Sequence, residues 1–144
     1  MTIVDCIKDL ISDSVSDELR EFIFRFFIGC FLAITFLQSG LDKVVDRKAN
    51  LDWLTGHFSK TFMKNTVPLL LTFVTIMELG VGVLNGAGVI GSFFIDTHVI
   101  LFLGAMIAAK TLLYLLFGQR LAKDYDGAKT IVVYFIVALM GVLI

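Results

Sequence analysis

Residues 67–84 read VPLLLTFVTIMELGVGVL, eighteen positions in which Glu78 is the one ionisable side chain. At about 1.5 Å per residue such a run forms a helix close to the ~30 Å thickness of a bilayer's hydrocarbon core. It is apolar around its whole circumference, so it has no polar stripe to turn toward water. Three further runs share this character: residues 22–40 (FIFRFFIGCFLAITFLQSG), residues 97–117 (THVILFLGAMIAAKTLLYLLF) and residues 127–144 (GAKTIVVYFIVALMGVLI). The expected fold is all-α, a four-transmembrane-helix bundle of up-down-up-down order. Four such helices would leave a soluble protein without a polar surface.

The composition agrees. Of 144 residues, 58% are hydrophobic and 17% charged, against about a quarter charged in soluble domains, and the mean hydropathy is +0.90. The bilayer is therefore the first expected partner. A formal net charge of −1 gives no electrostatic ground for a nucleic-acid partner. The two cysteines, Cys6 and Cys30, lie in a polar tail and an apolar run, and no disulfide between them is expected. Residues 1–21 are acidic and hold no continuous apolar core, so the first spanning helix is expected to act as the insertion signal.

Helix punctuation brackets the runs. Pro68 follows Thr66 at a first-turn position, and Asn85-Gly86 reads as a helix stop. Asp96 is placed to cap the third run, with Ile95 and Ile100 as a hydrophobic staple, and Asp126 to cap the fourth.

Outside the spans, residues 1–21 form an acidic amphipathic segment, distinct from the membrane domain of residues 22–144. Ile3, Ile7, Leu10, Ile11, Val15, Leu19 and Phe22 recur at helical spacing, opposite a face of Asp5, Asp9, Asp13, Asp17, Glu18 and Glu21. Its acidity suits anionic lipid poorly, which leaves a helix resting on its own bundle or a docking element for a partner. In the first loop Leu51, Trp53, Leu54, Phe58 and Phe62 predict an interfacial helix with Trp53 at headgroup level.

The first and third loops carry eight basic residues, among them Lys43, Arg47 and Lys129, against Lys8 and Arg20 on the other side, or three if Arg25 is added. The positive-inside rule puts both loops in the cytoplasm and both termini outside.

Ionisable groups inside a bilayer are costly, about +2.5 to +3.5 kcal/mol at a helix centre. Arg25, Glu78 and Lys110 remain within the apolar runs. The two cations have stems long enough to snorkel, whereas Glu78 is too short to reach water from its depth. The expected polar intramembrane centre is therefore Glu78, approached by Arg25 or Lys110. Gln38, Ser39, His98, Tyr114 and Tyr134 are its candidate neighbours. Such a centre is either an ion pair that holds helices together or a pocket for a headgroup, a quinone carbonyl or a proton. Small-residue pairs, Gly82 with Gly86 and Gly29 with Ala33, specify close helix packing.

Several chemistries have no carrier in this sequence. The histidines, His57 and His98, fall near opposite membrane faces, so they cannot sandwich a haem. Paired cysteines, phosphate loops, nucleophile elbows and zinc-binding spacings are absent. No metal site, catalytic residue or resident cofactor is expected from the residues themselves.

The order of these motifs resembles the DoxX-like family of four-helix bacterial membrane proteins over about residues 22–144. The resemblance rests on Arg25 early in the first helix, QSGLDK at its end with Gly40 and Lys43, MELGVGVL with Glu78, Gly80 and Gly82, and FGQRLAKDYDGA in the third loop. It implies Arg25, Lys43 and Glu78 as recurrent polar positions and a setting in membrane redox complexes, with quinone or lipid as the possible ligand. The expected function is an accessory subunit of a bacterial inner-membrane complex, quinone-linked, bound to a membrane protein partner or to further copies of itself. A small lipid or solute carrier and a stand-alone DoxX-like oxidoreductase are the alternatives.

Overall fold

A computed structural model describes residues 2–12 and 16–144. Six helices follow in order: α1 (Ile3–Leu10), α2 (Ser16–Val45), α3 (Arg47–His57), α4 (Val67–Gly91), α5 (His98–Leu121) and α6 (Tyr125–Leu143). Among the described residues there is no strand. Helices α2, α4, α5 and α6 are long and apolar enough to cross a membrane, as a multi-pass membrane protein requires.

The acidic segment divides in two. Thr2 caps α1 reciprocally: its hydroxyl accepts from the Asp5 N–H at 3.3 Å, and the Asp5 carboxylate accepts from the Thr2 N–H at 3.0 Å. Asp17 and Glu18 instead open α2, where carboxylates favour the positive end of the helix dipole. Arg20 and Asp17 pair at 2.6 Å on the same turn. The first spanning helix thus starts at Ser16 rather than at Phe22. Of the expected amphipathic pattern, Asp13 and Val15 lie outside the described residues.

Three expected boundaries move. Asn85-Gly86 does not stop α4, which continues to Gly91. Asn85 is fully buried and its Nδ2 donates to the Val81 carbonyl one turn back at 2.9 Å, inside the helix, while its Oδ1 has no hydrogen-bond partner among the described residues. Asp124, not Asp126, caps α6, with its carboxylate accepting from the Gly127 N–H at 2.9 Å. Thr97 is the N-cap of α5. Asp96 nevertheless accepts from the His98 N–H at 3.0 Å, while the Thr97 hydroxyl donates to the Gly88 carbonyl at 2.7 Å, tying the start of α5 to the end of α4. Lys123 takes a left-handed φ of 60° after α5 and turns the chain into α6.

Helix α2 packs most extensively on α4 and α5 on α6, α4 meets α5, and α2 meets α6 only lightly. Glycines set the closest approaches. A Cβ on Gly82 would lie 2.6 Å from Leu37 Cγ, and one on Gly40 would lie 2.7 Å from Leu79 Cδ2. Leu32, Phe36, Val81, Ala105, Ala108, Leu112 and Ala138 fill the centre of the bundle. The outward faces are also apolar: Ile34, Leu69, Ile76, Val83 and Val133 are all exposed. Lipid, not water, is the solvent that suits this surface.

Candidate intramembrane polar site

Gly40 lets α4 come within backbone distance of α2, with the Leu79 amide nitrogen 3.2 Å from the place a Cβ would occupy. The residue before Leu79 is Glu78, and it enters the bundle at this contact. Ser39 and Lys43 lie one turn apart on α2, so their side chains share a face. The Ser39 hydroxyl donates to Glu78 Oε1 at 3.1 Å. Lys43 donates to the Ser39 hydroxyl at 2.7 Å and to the Ser39 carbonyl at 3.3 Å, and its Nζ stands 2.8 Å from Glu78 Oε2. That contact is an ion pair. The Glu78 side chain is 3% exposed and that of Lys43 17%.

Glu78 is eleven residues after Val67 and thirteen before Gly91, roughly 16 Å and 20 Å from the helix ends. It is central to α4, deeper than its position in the run of residues 67–84 indicates, because α4 extends past Asn85.

The partner differs from the expected ones. Arg25 is eighteen residues before Lys43 on α2, a rise of roughly 27 Å. There its guanidinium donates to Glu21 at 3.2 Å and to the Ile144 oxygen at 2.6 and 3.1 Å. Lys110 is exposed on the outer face of α5 and makes no hydrogen bond or ion pair with another described residue. His98 is also remote, with its Nδ1 2.8 Å from Asp96 Oδ2. Hydrogen bonding from the His98 backbone N–H and then from its side chain holds the Asp96 carboxyl below the ordinary aspartate value of 3.8.

Two cavities flank the pair. One, of about 380 Å³, is lined by Gln38, Ser39, Asp42, Glu78 and Tyr134. The other, of about 220 Å³, is almost wholly apolar, with Trp53, Phe58, Phe73 and Tyr114 in its wall and Lys43 at its edge. Glu78 thus lines one space and Lys43 the other. Gln38 and Tyr134 line the same space as Glu78 and Ser39, whereas Tyr114 belongs to the apolar space, its ring 5.6 Å from that of Phe73.

A second polar cluster escaped the sequence reading. His57, at the end of α3, stacks on Trp53 with centroids 4.4 Å apart. Its Nε2 is 2.9 Å from Gln119 Oε1 and 4.0 Å from Asp124 Oδ2. These contacts tie α3 to the turn between α5 and α6 and close the apolar space at that end. The one available signal was the spacing of Trp53 and His57, a single helical turn.

These features define a multi-pass membrane protein with a buried ion pair beside two cavities. Compared with known proteins, the chain matches no family model, no curated protein and no solved structure.

Proposed function

We propose that this chain is a non-catalytic accessory subunit of a bacterial inner-membrane complex, quinone-linked and related to the DoxX-like proteins. Its contribution is a binding centre for the polar head of a membrane-soluble molecule at Glu78 and Lys43. The observation that carries this reading is the ion pair itself. A structural tie needs no open space around it, yet here each residue of the pair lines a cavity. An apolar aromatic pocket with few polar groups at one edge is the usual form of a site for a mostly apolar ligand. The bundle is read as up-down-up-down, with α3 at the interface, the first and third loops in the cytoplasm and both termini outside.

The alternative of a small lipid or solute carrier draws on the polar cavity of about 380 Å³, which lies within the ~300–1,000 Å³ range of small-molecule sites. Purification in mild detergent separates the two. Co-purifying membrane proteins and an extractable quinone, both diminished in Glu78→Gln, are expected of the subunit. A solitary chain holding lipid or solute would favour the carrier, and a solitary chain with no bound molecule would sink both. Orientation is tested apart: Arg47→Cys, with Cys6 and Cys30 replaced by Ala, should resist an impermeant maleimide added to intact cells.

A further inference from the structure

The lightly packed seam between α2 and α6 carries two cavities along its length. One half holds the polar space beside Glu78. The other half is an apolar crevice, also of about 380 Å³, lined by Phe24, Phe27 and Phe31 of α2 and by Val137 and Met140 of α6. The Phe31 and Tyr134 rings meet edge to face at 5.6 Å across the seam, between the two spaces. Gln38 and Asp42 are exposed at the lip of the polar half, and Phe24 and Phe27 are exposed beside the crevice. The seam therefore faces the surroundings of the bundle along both halves.

The polar half is under-used by the protein. The side chains of Thr35, Gln38, Asp42 and Tyr134 line it, and none makes a hydrogen bond with another described residue. Polar groups at membrane depth are costly without partners, so this space is suited to a hydrogen-bonding guest. Asp42 and Glu78 line it; Lys43 balances the Glu78 charge at 2.8 Å, whereas Asp42 forms no ion pair with another described residue. An anionic head would meet like charge there, whereas hydroxyls would find acceptors.

We infer that the α2–α6 seam is a lateral binding groove for a single-chain lipid with a neutral, hydroxyl-bearing head, its head beside Glu78 and its tail in the Phe27–Val137 crevice. The inference deepens the proposed binding centre by giving the ligand's class and its route, sideways from the bilayer past Phe31 and Tyr134.

Native mass spectrometry of the full chain in detergent tests it, with monoolein and oleoyl lysophosphatidylglycerol as probes of equal tail and different head charge. The parent should retain monoolein about tenfold better or more, a difference of ~1.4 kcal/mol. Val137→Trp should abolish retention by filling the crevice. Phe31→Ala should raise it by joining the two spaces. Leu103→Trp, on the outer face of α5, should leave it unchanged, and Val74→Trp, in the aromatic pocket, distinguishes the seam from that pocket. Equal retention of both lipids, or monoolein bound to Val137→Trp as to the parent, would overturn the groove. If binding survives Val137→Trp but is lost in both Val74→Trp and Glu78→Gln, the groove is wrong and the Glu78–Lys43 centre stands. If it survives all three, both readings fall.

Discussion

Lys43 reaches Glu78 across a close contact between α2 and α4, its Nζ 2.8 Å from Glu78 Oε2 and 2.7 Å from the Ser39 hydroxyl that itself donates to Glu78 Oε1. The carboxylate thus has a neutral donor on one oxygen and a cation at the other. A Cβ on Gly40 would lie 2.7 Å from Leu79 Cδ2 and hold the helices apart. Packing and polarity are set by the same turn, Ser39 to Lys43.

The two ends of the pair are unequally buried, so their loss should be unequally felt. Lys43→Met leaves the enclosed Glu78 carboxylate without its cation, for which we expect a cost approaching the ~3–5 kcal/mol of a broken buried pair. Glu78→Gln leaves Lys43 free to turn outward and should cost less. The double variant should recover much of the loss of Lys43→Met. Thermal unfolding of all three in one detergent gives the cycle, and additive effects would mean that the charges do not support one another.

The glycines of α4 differ in what surrounds them. A Cβ on Gly82 would lie 2.8 Å from the Leu37 backbone nitrogen, whereas one on Gly80 would meet nothing within 4 Å. Gly82→Ala must push α4 away from α2 and should cost ~1–3 kcal/mol through overpacking. Gly80→Ala should be neutral or stabilise by up to ~1 kcal/mol through helix propensity. Equal melting temperatures for the two variants would contradict the α2–α4 contact.

The pattern of apolar runs made the four spanning helices legible because a bilayer demands length and apolarity, and both can be counted along the chain. Side-chain identity misled where its meaning depends on solvent. Asn85-Gly86 signals a stop when Asn competes for backbone bonds near water, but at Asn85 the amide donates within its own helix to Val81. Depth within the apolar runs points to Arg25 and Lys110 as cation partners of Glu78. Lys43 lies just beyond the first run, and only the resemblance singled it out. Its spacing of four from Ser39 was visible; the register of α2 against α4, which brings Glu78 to it, was not. In an all-round-apolar helix nothing in the pattern says which way Lys110 points.

Acid should weaken the turn before α5. The Asp96 carboxyl is held below its ordinary 3.8, chiefly by the hydrogen bond from the His98 backbone N–H, then by the His98 side chain, with smaller help from the charges of His98 and Arg25. A depressed folded-state value means that the unfolded chain binds the proton more readily. This contribution is therefore fully present above pH 3.8 and is lost as pH falls through the lower folded-state value. Asp96→Asn should flatten that part of the stability profile while leaving the profile above about pH 5 in place. Carboxyl NMR should find the Asp96 midpoint under 3.8, and a midpoint at or above it would refute the bonded arrangement.

Lys110 stands twelve residues after His98 and eleven before Leu121, roughly 18 Å and 16 Å from the ends of α5. Met106, Leu113 and Phe117 accompany it on the exposed face. A cation in such a stripe costs about 2.5–3.5 kcal/mol at a helix centre, even where snorkelling is allowed. Within the isolated chain it has no described partner to offset that cost. Lys110→Leu should therefore leave the melting temperature of the purified bundle unchanged or raise it. In the proposed complex the outcome reverses. A spanning helix with Asp or Glu at matching depth would be held by Lys110, so Lys110→Leu should release it, while Lys110→Arg, keeping the charge, should not. Affinity purification of parent and variants at equal expression reads the partner, and a melting curve of each lone chain reads the fold. A lower melting temperature for lone Lys110→Leu would show that the lysine serves the bundle itself. Full retention of the partner would show that this face of α5 meets only lipid.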